Sequence, residues 1–300
     1  MAPHPSRLHG RFCILLATIL WSLNGVFIPL LTTETRLGVQ EPPIHPWQIA
    51  FYRVFFAAMV LLPGIRRSEM RFRPWLILSA LSFAAMNVMF IYAITKGDVA
   101  SAMFLQYTAP AWLYVACVYI LGEAPDRRSL ISVLIALIGI SVIVVGGWKG
   151  GQILIIALGL GSGITYAGVL LGIRMMRDQS SRWVTVVNLL AGAAVLTPVL
   201  FAYSMPSWKQ LATLLVFGGL QLGFPYFLMA RGLRSVSPQE AGTLTLIEPI
   251  LSTLWAYVVG NQVPARETLI GGTFILTALL FRYWPFPRSE PAVETGALPP

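Results

Sequence analysis

Two charged side chains lie inside long apolar stretches of this 300-residue chain. Glu248 lies in Leu244-Thr-Leu-Ile-Glu-Pro-Ile250, and Arg53 lies in Ala50-Phe-Tyr-Arg-Val-Phe55. Charges in such surroundings usually pair with one another or face a polar cavity that carries function. Glu248 is a candidate proton carrier, against the alternative of a structural hydrogen bond or ion pair. Arg53 is a candidate coupling or gate residue, although we expect it to act as a structural anchor that snorkels or pairs near one end of its stretch.

Amide, hydroxyl and aromatic side chains in the apolar stretches form a second group of candidates. Together they would suit a neutral or zwitterionic ligand with a flat apolar part. The alternative is that they only join neighbouring helices through hydrogen bonds. The candidate substrate-binding residues are Trp21, Asn24, Asn87, Tyr92, Gln106, Tyr107, Tyr166, Gln221, Tyr226, Thr243 and Thr245.

Three prolines, Pro110, Pro225 and Pro249, fall inside apolar stretches. A proline removes one backbone hydrogen bond of a helix and bends it. A broken helix can present free backbone groups to a ligand, although a purely structural kink explains the same residues. Glu240 lies at the beginning of the stretch that contains Glu248, where it is a candidate gate residue.

The composition places these residues in a membrane protein. The mean hydropathy is +0.73, and 11% of the residues are charged, far below the roughly 25% of an ordinary soluble domain. A stretch of about 20 apolar residues spans the hydrocarbon core of a bilayer. Ten such stretches are predicted, at residues 11–31, 47–65, 74–94, 98–121, 129–147, 152–173, 183–203, 208–230, 238–260 and 267–284.

The basic residues predict the orientation of the chain. Fifteen Lys and Arg residues lie in one alternating set of connections and five lie in the other. Because basic residues are enriched on the cytoplasmic side, both termini are predicted to be cytoplasmic. The predicted location is the plasma membrane, as a multi-pass protein, which means the inner membrane in a bacterium. Cys13 and Cys117 lie in apolar stretches, where we interpret them as small core residues.

An internal duplication relates the two halves of the chain. A shift of 139 positions pairs Pro110 with Pro249 and Pro125 with Pro264. Because each half holds an odd number of spans, the second half would enter the membrane upside down. The predicted fold is an all-α membrane protein with ten transmembrane helices, in two inverted five-helix repeats around a central cavity. The predicted organisation is a cytoplasmic N-terminus at 1–10, repeats at 11–147 and 152–284, and a disordered cytoplasmic tail at 285–300.

Several short motifs follow one another along the first half of the chain: Trp21-Ser-Leu-Asn24, Arg53, Tyr92-Ala-Ile94, Ala100-Ser-Ala102, Pro110 and Gly122-Glu123. Together with the ten predicted spans, their order and spacing resemble the drug/metabolite transporter superfamily, EamA type, over nearly the whole chain. The second half departs from the pattern, with Asn261-Gln262 in place of Gly-Glu and Gly232 in place of an alanine.

This resemblance implies a secondary carrier that exports amino acids or other small metabolites by alternating access. It also implies a central cavity lined by the first, third, fourth, sixth, eighth and ninth spans. Within the superfamily, the bacterial aromatic amino-acid exporters are the most similar branch. The expected substrate is therefore an aromatic or large neutral amino acid, and the expected partners are that small molecule and the lipid bilayer.

Other functions fit the sequence less well. A polytopic enzyme is disfavoured because the three histidines lie outside the spans and no HExxH motif is present. Carriers of phosphate esters or nucleotide sugars favour basic clusters in the binding site, whereas the lysines here lie near span ends. A carrier for another metabolite or drug-like solute remains an alternative. No cofactor, metal or nucleic acid is expected, and a monomer is compatible with the sequence.

Overall fold

The fold of the computed structural model is all-helical, which confirms the predicted class. The structure describes residues 7–34, 37–149, 152–176, 178–236 and 238–284. The prediction of a disordered tail at 285–300 lies outside these residues, as does most of the predicted N-terminal segment at 1–10. The α-helices are α1 Arg7–Ser22, α2 Asn24–Thr32, α3 Pro46–Leu61, α4 Pro74–Lys96, α5 Val99–Gln106, α6 Ala109–Tyr119, α7 Arg127–Lys149, α8 Ile153–Met175, α9 Ser181–Leu196, α10 Val199–Ala202, α11 Trp208–Val216, α12 Phe224–Gly232, α13 Pro238–Thr245, α14 Ile247–Gly260 and α15 Arg266–Tyr283.

Eight stretches of the described chain are long and apolar enough to cross a membrane. The other two predicted spans are also helical but fall short of that test for visible reasons. The span predicted at 98–121 is divided into α5 and α6, and α15 carries Arg266, Glu267 and Arg282 near its ends. The eight stretches are Arg7–Thr32, Pro46–Gly64, Pro74–Lys96, Arg127–Trp148, Ile153–Met175, Ser181–Ala202, Trp208–Gly232 and Glu240–Gly260.

Prolines explain where several helices are interrupted. α5 ends at Gln106 and α6 contains Pro110, whose missing N–H leaves the carbonyl of Gln106 without its helical partner. The same relation joins Pro249 of α14 to the carbonyl of Thr245, the last residue of α13. Between α11 and α12, the turns Phe217–Gly223 are π-helical, and Pro225 is the second residue of α12, which follows them. Such π-helical insertions frequently occur at functional sites.

The interruptions of the two halves coincide after the 139-residue shift. Gln106, the last residue of α5, corresponds to Thr245, the last residue of α13. The first residue of α5, Val99, likewise corresponds to Pro238, the first residue of α13. Both halves therefore break the corresponding span at the corresponding position.

The long helices pack in a reciprocal pattern. α4 packs along α8 and α9, whereas α12 packs along α1, and the π-helical turns pack against α3. α7 packs along α15 at a close crossing. A Cβ atom on Gly139 would lie 2.5 Å from the carbonyl oxygen of Gly271, and one on Gly271 would lie 2.5 Å from that of Gly139. Glycine at both positions lets these backbones approach closely.

The largest apolar core lies between α3, α4 and α9, around Val54, Phe83 and Leu189. Cys13 and Cys117 are both buried, as predicted for small core residues. Many apolar side chains on the outer faces of the helices are exposed, for example Leu134 and Ile138 on α7. This arrangement suits a bundle whose outer surface contacts lipid.

Candidate functional site

A cavity of about 230 Å³ lies between the broken helices and the helices that pack against them. Its walls come from α1 to α5, α8, the π-helical turns and α12 to α15, with Pro110 contributed by α6. Most of the predicted site residues lie in this one place. The predicted residues that line the cavity are Trp21, Asn24, Arg53, Gln106, Tyr107, Pro110, Tyr166, Gln221, Tyr226, Thr245 and Glu248.

Arg53 reaches the cavity from α3 and is only 3% exposed. Its Nη1 donates a hydrogen bond to Oδ1 of Asn24 at 3.2 Å, and its Nη2 donates to Oδ1 of Asn87 at 3.1 Å. The guanidinium carbon lies 5.5 Å from the centre of the Phe217 ring. Of the two modes of anchoring expected for Arg53, snorkelling does not occur, because two amides from neighbouring helices hold the side chain inside the bundle. Its role as an anchor or a coupling residue stays a prediction.

Neutral partners leave part of the Arg53 guanidinium free. Within the described residues, its Nε atom is buried and has no hydrogen-bond partner. Asn87 is itself fixed, since its Nδ2 donates to the carbonyl of Ala50 at 3.3 Å. The two asparagines therefore orient the guanidinium without neutralising its charge.

Glu248 is the second residue of α14 and is partly exposed to the cavity. The Tyr107 hydroxyl donates a hydrogen bond to its Oε2 at 2.7 Å. The same hydroxyl lies 3.0 Å from the carbonyl oxygen of Thr245, the oxygen that Pro249 leaves unpaired within the helix. Tyr107 thus ties the break of one half to the break of the other, and it also positions the carboxylate.

Arg53 and Glu248 do not form an ion pair in the described structure. They are the only charged residues among the described ones that line the cavity. The cavity therefore presents one guanidinium and one carboxyl group that are not paired with each other.

Aromatic and amide groups complete the polar part of the cavity. The ring of Trp21 meets that of Tyr226 edge to face, with 5.5 Å between the ring centres. The helix break between α1 and α2 leaves the carbonyl of Trp21 available, and Nε2 of Gln221 donates to it at 2.8 Å. Oε1 of Gln221 is buried and has no partner within the described part of the chain.

Some predicted residues lie outside the cavity. Asn87 accepts a hydrogen bond from Arg53. Tyr92 lies near Trp47, with 6.5 Å between the ring centres. Thr243 donates to the carbonyl of Tyr283 at 3.2 Å. Pro225 and Pro249 shape helix ends without lining the cavity. Asn87, Tyr92 and Thr243 therefore do not line this cavity, and a role for them in binding stays a prediction.

Glu240 lies in a separate ion cluster where α1 meets α13. Its Oε2 accepts a hydrogen bond from Nη2 of Arg7 at 2.7 Å, and its Oε1 accepts one from Nε of Arg11. Both arginine side chains are largely exposed, at 67% and 48%. We call Arg7, Arg11 and Glu240 the α1–α13 ion cluster.

Sequence reasoning missed the apolar wall of the cavity. Phe83, Met86 and Phe90 of α4 line it, as does Leu170 of α8. Such residues have the same sequence signature as a helix core, so no pattern separates them. Tyr283 also lines the cavity, and an aromatic hydroxyl at the end of the last predicted span was the available signal.

The described residues contain no group of His, Cys, Asp and Glu that could hold a metal ion. What the cavity offers is one cation, one anion, several hydroxyl and amide groups and an apolar wall. Groups of these kinds are suited to binding and orienting a small molecule.

A single family model matches the chain twice, at residues 8–145 and 153–284, under the description EamA-like transporter family. The chain belongs to the EamA-like transporter family. It is thus a membrane transporter, as the resemblance in the sequence implied.

Known relatives of this EamA-like transporter are all named as transporters or exporters, and those with a named cargo differ in that cargo. An uncharacterized transporter of Archaeoglobus fulgidus is 28% identical over 92% of this chain and 96% of its own length. An S-adenosylmethionine uptake transporter of Rickettsia prowazekii is 25% identical over 91% of this chain and 92% of its own. A pseudopaline exporter of Pseudomonas aeruginosa is 22% identical over 78% and 84% of the two chains.

A protein of known crystal structure shares the fold. Its TM-score is 0.63 at 14% sequence identity, and the match covers 92% of this chain and 98% of the other. At this identity the likeness concerns the fold alone. The names of the relatives fit a protein that is a transporter and not an enzyme.

Proposed function

We propose that this EamA-like transporter is a secondary carrier that exports an aromatic or large neutral amino acid. The observation that carries the proposal is the cavity, which combines one buried cation, one separate anion and an aromatic wall. An amino acid offers a carboxylate, an ammonium group and a side chain to match these three features. The volume of about 230 Å³ lies below the roughly 300–1,000 Å³ of typical sites for drug-sized ligands.

The proposed mechanism is alternating access between two inverted five-span repeats. Ten spans with both termini in the cytoplasm are part of this proposal. It is supported by the double match of the family model, by the corresponding breaks at Tyr107 and Leu246, and by the reciprocal packing of α4 on α8 and α12 on α1. Inverted repeats of this kind commonly enclose a midplane site and rock about it.

A second candidate cargo follows from the relatives. S-adenosylmethionine carries an amino-acid group together with an aromatic base, and several relatives are named as its uptake transporters. Such a solute shares the carboxylate and the ammonium group with the first candidate. It differs in size, in its sulfonium charge and in the direction of transport.

The test is uptake by the purified protein in liposomes. Labelled phenylalanine, leucine, glutamate and S-adenosylmethionine are compared, with and without an imposed pH gradient. Saturable uptake of phenylalanine, which leucine competes away and glutamate does not, supports the proposal. Uptake of S-adenosylmethionine alone, or of none of these solutes by folded protein, contradicts it. Dependence on the gradient separates a proton-coupled carrier, for which Glu248 is the candidate, from a facilitator.

A further inference from the structure

We propose that the cavity recognises its solute at both ends, with Arg53 binding a carboxylate and Glu248 binding a cationic amino group. The inference rests on the proposed function and goes beyond it by assigning the two subsites. It predicts that a solute must carry both charged groups to bind well. The hydrogen-bond partners and the burial of these two side chains carry the inference.

Arg53 has the features of a built anion subsite. Its side chain is 3% exposed and lines the cavity, and its Nε has no partner among the described residues. Its two hydrogen bonds, to Asn24 and Asn87, go to neutral amides that supply orientation without charge. A guanidinium fixed in this way retains the positive charge that a carboxylate or phosphate binds.

A carboxylate suits this subsite better than a phosphate does. Arg53 is the only cation among the described residues that line the cavity, and a phosphate would bring up to two negative charges. A carboxylate carries one negative charge and therefore matches the single positive charge of the guanidinium. Buried charges are costly when they are left unpaired, which favours a solute of matching charge.

Glu248 provides the complementary subsite. Tyr107 donates to its Oε2 at 2.7 Å, whereas no described residue donates to its Oε1. No cation pairs with it in the described structure. An ammonium group with three donors fits a carboxylate held in this way.

The separation of the two charges makes the recognition selective. If Arg53 and Glu248 formed an ion pair, each would satisfy the other and neither would need a solute. As they are, a ligand with only one charged group leaves the opposite buried charge without a partner. The apolar wall at Phe83, Met86 and Phe90 then receives the uncharged part.

The experiment compares three ligands that differ by one group each. Phenylalanine carries both charges, phenylethylamine lacks the carboxylate, and 3-phenylpropionate lacks the ammonium group. Competition against labelled phenylalanine uptake in liposomes is combined with ligand-induced thermal stabilisation of the purified full-length protein. For the wild type, both analogues should bind about tenfold or more weakly than phenylalanine, as for loss of a buried charge pair.

Each variant should lose the ability to discriminate between phenylalanine and one of the two analogues. Arg53→Gln should bind phenylalanine no better than phenylethylamine, and Glu248→Gln should bind it no better than 3-phenylpropionate. Arg73→Gln and Glu123→Gln are matched controls, because each of these residues belongs to a partly exposed ion pair outside the cavity. Both controls should keep the selectivity of the wild type.

Three results would overturn the inference. One is a wild type that binds either analogue as tightly as phenylalanine. Another is an Arg53→Gln variant that weakens phenylalanine and phenylethylamine by the same factor. The third is a folded Glu248→Gln variant that keeps the wild-type preference for phenylalanine over 3-phenylpropionate, and this result decides if Arg53→Gln does not fold. Wild-type protein that transports other solutes but binds none of the three ligands contradicts the amino-acid proposal itself.

Discussion

Two groups of ionised side chains in this transporter, the α1–α13 ion cluster and the pair in the cavity, are built in opposite ways. In the α1–α13 ion cluster, the Glu240 carboxylate meets Arg7 and Arg11 directly, and both arginines are largely exposed. In the cavity, Arg53 and Glu248 are held apart, each by neutral partners. The difference teaches that charge alone does not mark a binding site. A charge becomes available to a solute when it is buried, oriented and left without an ionic partner.

Asn87→Asp should have the largest effect on uptake, because it would pair Arg53 directly with a carboxylate, as Arg7 and Arg11 are paired with Glu240. A carboxylate at this position would lie about as close to Arg53 as the present amide, whose Oδ1 is 3.1 Å from Nη2. It would neutralise the guanidinium, so uptake should fall by tens of times or more, as expected when a buried charge loses its proper partner.

Protein stability separates this effect from misfolding. The midpoint of thermal unfolding of Asn87→Asp should stay close to that of the wild type, because the new ion pair with Arg53 offsets the loss of the hydrogen bond that Nδ2 of Asn87 donates to the carbonyl of Ala50. Asn87→Ser is the neutral control at the same position and should keep most of the uptake. Normal uptake by Asn87→Asp would show that the charge of Arg53 is not used.

Glu248→Gln should reduce uptake about tenfold, since a neutral amide replaces the only anion of the cavity among the described residues. The reduction is measured as uptake into liposomes in which the protein has a fixed orientation. The same variant tests proton coupling, because a coupled carrier would lose its response to the pH gradient. An unchanged rate would place Glu248 among structural residues.

Tyr107→Phe should reduce uptake about fivefold. It removes the hydroxyl that donates to Glu248 at 2.7 Å and lies 3.0 Å from the Thr245 carbonyl, and the net contribution of one hydrogen bond is typically about 0.5–1.5 kcal/mol. The exposed Tyr257 of α14 offers the matched control, Tyr257→Phe, which should transport normally. Equal effects of the two substitutions would contradict the assigned role of the hydroxyl.

Glu240→Gln should have the smallest effect, less than about threefold on uptake. Exposed ion pairs contribute about 0–1 kcal/mol, and Glu240 does not line the cavity. The sequence alone made Glu240 a candidate gate. A large change in rate with unchanged affinity would restore that interpretation and weaken the contrast between the two groups of charges.

Much of the site was visible in the sequence because polar residues in apolar spans are costly. Trp21, Gln106 and Tyr166 stand out for this reason, and all three line the cavity. The prolines likewise indicated where helices would break. These inferences need only the local sequence and the cost of burying polar groups.

Other features depend on which helices become neighbours. Arg53 lies inside the bundle only because Asn24 and Asn87 approach it from two other helices. Phe83 and Met86 belong to the apolar core and also line the cavity, whereas Ile91 and Ile94 of the same helix belong to the core alone. Tyr92 faces Trp47 instead of the cavity. No spacing within one span contains this information.

The most direct test of the account is whether the cavity opens to both sides of the membrane. The variant carries Leu170→Cys, in the apolar wall of the cavity, in a background where Cys13 and Cys117 are replaced by alanine. A membrane-impermeant thiol reagent is applied to one side of oriented vesicles at a time, with and without phenylalanine. The account predicts labelling from either side and protection by phenylalanine. Labelling from one side only, or labelling that phenylalanine does not slow, would contradict it.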